Sequence, residues 1–288
     1  MAESVAALPA DGAVHLGGHA VHLITQPGLT RPVVLLGGCG VPSYNWDEVV
    51  ELLADCWVVR LDRPGLVRTP WPGTLPELST EVGTLADLGA QLGEPMVLVA
   101  HSMAGLHAEA LARQHPELVA ALILVDGSVT WSPKRPPSDT PWLRVARGVR
   151  HAMRVAPLRP LGSLADRVVV ATQSKRRLSD QLPPVVKAIF RDPDAVASVV
   201  AEQAAYAKQI WALAALREST TWPAPPAVVL TAAGDGGPSW VTDQARLARL
   251  LAARHVVLTD SRHLMMLDRP DVVADAVRAV MEEDGHHD

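Results

Sequence analysis

Short, almost uninterrupted apolar runs recur along this chain. Between them lie stretches whose apolar residues return every three or four positions. The runs are PVVLL (32–36), WVVRL (57–61), MVLVA (96–100), ALILV (121–125), AVVLT (227–231) and HVVLT (255–259). A strand that is apolar on both sides is covered on both sides, so these runs predict strands of a buried parallel sheet. The helical periodicity predicts helices over 46–55, 80–92, 103–115, 242–253 and 270–282, the last opening on Pro270 at a first-turn position. Ahead of them, AVHLGGHAVHLI (13–24) alternates about Gly17-Gly18 and predicts a β-hairpin. Strand and helix alternating in this way define an α/β fold, a mostly parallel sheet flanked by helices.

The alternation breaks once. Residues 130–222 carry proline-rich joints (SPKRPP, APLRPL, LPP, WPAPP) and helical patterns without a convincing strand. The expected organisation is therefore a core of 1–129 and 223–288 with a helical cap inserted at 130–222. Charge marks the same segment. It holds 15 Lys and Arg against 7 Asp and Glu, a balance of +8 inside a chain of net −5, which leaves −13 elsewhere. Along 141–155, Arg144, Arg147, His151 and Arg154 share one helical face, and Trp142, Val145, Val149 and Met153 another. That pattern is read first as a lid helix with its charges in water. It also offers a contact for an anionic substrate or an acyl carrier. SKRR (174–177) is read as a solvated loop.

Composition narrows the class. With 48% hydrophobic and 20% charged residues, 288 positions are enough for a substantial core. Two cysteines, Cys39 and Cys56, make no disulfide framework and suit a reducing compartment. The opening MAESVAALPADGAV has no basic start or long apolar core, and no run is long enough to span a bilayer. A cytoplasmic protein without membrane insertion is expected. Neither a metal motif nor a phosphate-cradling loop with its Lys-Ser/Thr occurs, and His15, His19 and His22 on the hairpin are too few convergent ligands. No cofactor, metal or nucleic-acid partner is expected.

The chemistry gathers in VLVAHSMAG. A serine after a buried strand and before a helix, with Ala100 and Ala104 two residues to either side, fits a nucleophile elbow. Small neighbours are needed because the bend is so tight, and the helix start aims N–H groups at the space beside the hydroxyl. Serine attacks carbon only with a base, and the base needs an orienting acid. Asp235, beyond the strand at 227–231, and His263, beyond the strand at 255–259, stand in the chain order Ser, acid, His. The glycine-rich turn GGCG (37–40) follows a strand, so the backbone N–H groups of Cys39 and Met103 are the expected oxyanion donors.

These residues together make the chain resemble the α/β-hydrolase superfamily, in its branch of serine hydrolases with a helical cap. The resemblance rests on the turn at 37–40, DRPG (62–65), AHSMAG (100–105), HPELVAALILVD (115–126), the acid loop at 235 and RHLMMLDRPDVVADAV (262–277). It implies Ser102 as nucleophile, Asp235 as acid and His263 as base. Asp126, at a strand end, is the alternative acid, because some relatives shift that role. Two departures stand out: Gly37-Gly38 replaces the usual His-Gly, and Ala replaces Gly on both sides of the elbow. Gly38, His101, Trp131, Trp142 and Trp211 are the expected pocket residues, and Asp62 is read as a turn-former. The resemblance implies cofactor-free cleavage of an ester-like bond in a small, largely apolar molecule. Lactonase, thioesterase, C–C hydrolase and perhydrolase chemistry remain open on the same triad, as does a non-hydrolytic ligand-binding relative.

Overall fold

Each apolar run forms a strand of one eight-stranded sheet in the computed structural model, which describes residues 8–136, 140–176 and 184–284. The strands are β1 (Asp11–Leu16), β2 (His19–Gln26), β3 (Val33–Leu36), β4 (Val58–Asp62), β5 (Met96–His101), β6 (Val119–Val125), β7 (Ala227–Ala232) and β8 (Arg254–Leu258). Their order across the sheet is β1-β2-β4-β3-β5-β6-β7-β8. The β1–β2 and β2–β4 pairs are antiparallel and the remaining pairs parallel. Gly17 and Gly18 turn the hairpin with φ of +57° and +81°, which glycine adopts without a steric penalty.

The helices are α1 (Asp47–Leu52), α2 (Leu78–Leu92), α3 (Ala104–Gln114), α4 (Thr140–Met153), α5 (Arg159–Gln173), α6 (Pro184–Ile189), α7 (Pro193–Ser219), α8 (Pro238–Leu250), α9 (Met265–Asp268) and α10 (Pro270–Asp284). α8 begins ahead of the predicted 242, because Pro238 behind Gly237 supplies a ready first turn. Helices cover both faces of the sheet. Leu98 of β5 belongs to the buried cluster that holds Leu85 of α2, Leu111 of α3 and Leu247 of α8. Its neighbour Val99 points the other way, among Val49 of α1 and Val273 of α10. Full burial of one such side chain stabilises by about 1.5–3 kcal/mol, so two-sided burial fixes the register of the central strands.

Between β6 and β7 the described residues of 130–222 include α4 to α7 and no strand. Ala146 of α4 meets Ala197 and Ala201 of α7 over Trp71. α7 spans 27 residues and is tied to α3 at its far end. There Gln209 accepts from His107 at 2.7 Å, and Glu109 pairs with both Arg113 and Arg217. Burial pushes the His107 pKa down to about 3, so it packs as a neutral ring. Among the described residues, no helix is long and apolar enough to cross a membrane. Residues 1–7, where the leader was sought, lie outside the described residues, as do Pro137, Arg177, Leu182 and Pro183 of the basic and proline-rich stretches.

Candidate active site

β5 ends at His101 and α3 begins at Ala104, which leaves Ser102 at the apex of a very short reversal. Its φ is +53°, a left-handed conformation that costs a side-chain-bearing residue about 1–3 kcal/mol. The neighbouring strand holds it there. Ser102 N–H donates to Val125 O at 3.0 Å, and Ser128 N–H donates to Ser102 O at 3.0 Å.

From this apex the hydroxyl reaches an imidazole. Ser102 Oγ lies 2.9 Å from His263 Nε2, and His263 Nδ1 lies 2.6 Å from Asp126 Oδ2. An ionised carboxylate only accepts, so Nδ1 carries the proton and Nε2 accepts from the serine. Asp126 is buried and left-handed as well, with φ +47°. Its second oxygen, Oδ1, accepts Ala232 N–H at 3.0 Å and the Trp240 indole N–H at 2.8 Å. Every lone-pair direction the carboxylate uses is thus aimed by a donor from a different element.

The acid position corrects the sequence expectation. Asp235 does not meet the imidazole. Its Oδ2 accepts the backbone N–H of His263 at 3.4 Å, from the exposed side. Gly234 explains the path of that loop. A Cβ there would fall 2.4 Å from Ser261 O, so the loop lies flat against the segment leading to His263, with Asp235 outside it. Asp126, directly after β6, extends from the strand beside β5 and therefore beside Ser102.

The glycine-rich turn closes the site on the β3 side. A Cβ on Gly38 would stand 2.7 Å from both Ser102 Cβ and His101 Nδ1, so only glycine lets the turn approach the elbow. Gly38 N–H donates to His101 Nδ1 at 3.2 Å, and His101 Nε2–H donates to His263 O at 3.0 Å. His101 therefore joins the turn to the backbone of His263. Burial, with His263 beside it, drives its pKa well below the ordinary histidine value, which keeps the Nδ1 lone pair available. Met103 is buried at the start of α3, where its N–H has no partner within the helix. Cys39 sits between Gly38 and Gly40. Burial, then the Glu202 charge, pushes its thiol pKa far up, so the side chain is an inert neutral group.

The expected tryptophan lining is not what forms. Trp142 and Trp211 are 51% and 40% exposed, and Trp131 lies under the guanidinium groups of Arg217 and Arg246. A different one, Trp240, touches the site through Asp126. Asp62 also does more than form a turn. Buried at the end of β4, it accepts Ser43 N–H and Ser43 Oγ–H and pairs with His22 Nδ1 at 2.7 Å.

The fold and this constellation place the chain in a known group. Residues 33–276 match the model of the alpha/beta hydrolase family, and the chain belongs to that family. It is similar to the lipase LipV of Mycobacterium tuberculosis, 29% identical over 274 residues, covering 89% of this chain and 96% of that protein. A shorter stretch of 101 residues is 37% identical to the pimeloyl-[acyl-carrier protein] methyl ester esterase of Aeromonas hydrophila, covering 33% of this chain and 37% of that protein. Among solved structures, Cfl2 of Burkholderia cenocepacia superposes with a TM-score of 0.74 at 18% identity, over 94% of this chain and 95% of that one. The haloalkane dehalogenase DbeA of Bradyrhizobium elkani does so with a TM-score of 0.70 at 18% identity, over 96% and 99% of the two chains. At such identities the structural likeness concerns the fold.

Proposed function

We propose that this protein is a cofactor-independent serine hydrolase that cleaves an ester-like bond of a small, largely apolar substrate through an acyl-enzyme. One observation carries the reading: the continuous chain Ser102 Oγ, His263 Nε2, His263 Nδ1, Asp126 Oδ2, with steps of 2.9 Å and 2.6 Å. His263 takes the serine proton as Oγ attacks the carbonyl carbon. Asp126, not Asp235, holds the imidazole in register and stabilises its charged form. The N–H groups of Cys39 and Met103 receive the developing oxyanion. His263 then gives its proton to the leaving alcohol, and water activated by the same base frees the acid.

The two curated relatives, named for lipase and methyl ester esterase activity, support carboxylic ester cleavage. A carboxylate nucleophile of the dehalogenase kind has no place here, because position 102 is serine. The free thiols of Cys39 and Cys56 support a reducing, cytoplasmic compartment. The cap adds a refinement. Arg144 and Arg147 on α4 and Arg154 just past its end are exposed, and an anionic substrate or acyl carrier is the contact their charge favours.

A panel of p-nitrophenyl esters of increasing acyl length, run on wild type and Ser102→Ala, tests the reading. Hydrolysis that falls by roughly 10⁶ in the variant is expected. Hydrolysis that persists in Ser102→Ala would move the nucleophile elsewhere.

A further inference from the structure

The turn that follows β3 is gripped from two directions, and one grip comes from the inserted helices. Arg63 follows β4 and is 6% exposed. Its Nη2 donates to Gly38 O at 2.5 Å and lies 2.8 Å from Glu202 Oε1. Glu202, on α7 and 4% exposed, accepts Gly40 N–H on Oε2 at 2.8 Å. Both of its oxygens accept, as an ionised carboxylate does.

Peptide geometry gives these bonds a consequence. A trans peptide holds its C=O and its N–H on opposite edges of one plane. Gly38 C=O and Cys39 N–H share such a plane, so a guanidinium that holds the carbonyl also sets the direction of that N–H. The next plane is fixed in the same way. With Gly40 N–H held by Glu202, Cys39 C=O must turn to the other side.

We propose that Glu202, acting with Arg63 on Gly38 and Gly40, is a positioning residue for the Cys39 N–H, so that the seating of α7 sets the competence of the oxyanion hole. The proposal rests on the hydrolase reading above. Further contacts index the turn to the same helix. Gly40 has φ +65°, and a Cβ on it would lie 2.8 Å from Val199 Cγ2. Gln203 Nε2 donates to Cys39 Sγ at 3.3 Å. Farther along, Gln209 and Arg217 fasten α7 to α3, the helix that starts beside the nucleophile. One helix therefore registers the turn against the elbow. The inserted segment becomes part of the reaction machinery as well as a cover.

The test compares wild type with Glu202→Gln and Arg63→Lys. It reads kcat and KM on p-nitrophenyl butyrate, inhibition by an alkyl trifluoromethyl ketone whose serine adduct carries the oxyanion, and far-UV circular dichroism. Glu202→Gln should lose ~10- to 100-fold in kcat while KM stays within about threefold, because a misdirected donor is missed mainly in the transition state. Ketone inhibition should weaken in parallel. A folded Glu202→Gln with kcat and ketone affinity within about twofold of wild type overturns the proposal. Should that variant not fold, Arg63→Lys, which keeps the buried positive charge, is judged by the same criteria. Loss of fold in both assigns the pair to structural support and overturns the positioning role. A wild type that neither cleaves the ester nor takes the ketone defeats the hydrolase reading itself, whereas active wild type with unimpaired variants defeats only the clamp.

Discussion

Asp126 Oδ2 stands 2.6 Å from His263 Nδ1, joining residues 137 positions apart in the chain. Asp235, only 28 positions from the same histidine, reaches no farther than its backbone N–H. Proximity in sequence and placement at the imidazole are thus opposed, and the two carboxylates can be told apart by substitution. Asp126→Asn should lower kcat by ~10⁴, because an amide at that place favours the wrong imidazole tautomer. Asp235→Asn should stay within about threefold of wild type, since it changes one long, exposed bond. Steady-state kinetics on a p-nitrophenyl ester decide it, and the reverse ranking would return the acid role to Asp235.

Ser102 and His263, which the structure brings within hydrogen-bond reach, were legible because their signals are local. Ser102 is announced by a buried run, small neighbours and a helix start within a few residues, and His263 by its place between the last strand and the last helix. The carboxylate that meets the imidazole was not legible in the same way. Asp235 in its glycine-rich loop and Asp126 at a strand end satisfy the chain order equally. The deciding facts, the left-handed φ of Asp126 and the donors Ala232 and Trp240, exist only after folding. The bond from Trp240 to Asp126 was hidden for a related reason, as it joins residues 114 positions apart. The α/β alternation was readable since buried strands leave continuous apolar runs. The orientation of α4 and α7 was not, which is why Trp142 and Trp211 face outward instead of lining a pocket. Arg63 lies in the DRPG motif and Glu202 in no motif, and nothing local ties either to the turn at 37–40, because each acts on backbone atoms distant in sequence.

Gly38→Ala should abolish most activity. Its Cβ would stand 2.7 Å from Ser102 Cβ, and that atom belongs to a strained backbone unable to give way. Displacement of the turn should cost ~10²-fold or more in kcat. Thermal unfolding measured in parallel should show a loss of about 1–3 kcal/mol. Near-normal kcat in the variant would show that the turn is not held against the elbow.

A pH-dependent stability effect should come from α5. Asp166 shares its side of the helix with buried Gly162, Ser163 and Val170, and its Oδ2 is buried with no hydrogen-bond partner among the described residues. Burial raises its pKa from 3.8 to about 7. Between those values the folded chain binds more protons at this site than the unfolded one, so stability falls as pH rises through the window. Below pH 3.8 both states are protonated and the penalty vanishes. Asp166→Asn should raise Tm by ~2–4 °C at alkaline pH and leave it unchanged at acidic pH. Scanning calorimetry on both proteins checks this, and equal effects at the two pH values would contradict it.

The basic cap makes a kinetic prediction. If Arg144, Arg147 and Arg154 draw in an anionic substrate, kcat/KM for a carboxylate-bearing ester should fall by ~3-fold or more as ionic strength rises past about 0.1 M, where the screening length is ~10 Å. A neutral ester of the same size should be indifferent. Parallel salt responses for the two esters would remove the steering role from the cap.

The central claim is that Ser102 is activated by His263. Intact-mass kinetics with a fluorophosphonate, followed by peptide mapping, address it without knowledge of the natural substrate. The account predicts one adduct per chain, on Ser102, absent from Ser102→Ala and slowed by ~10³ or more in His263→Ala. An adduct on another residue, or His263→Ala reacting at the wild-type rate, would contradict it.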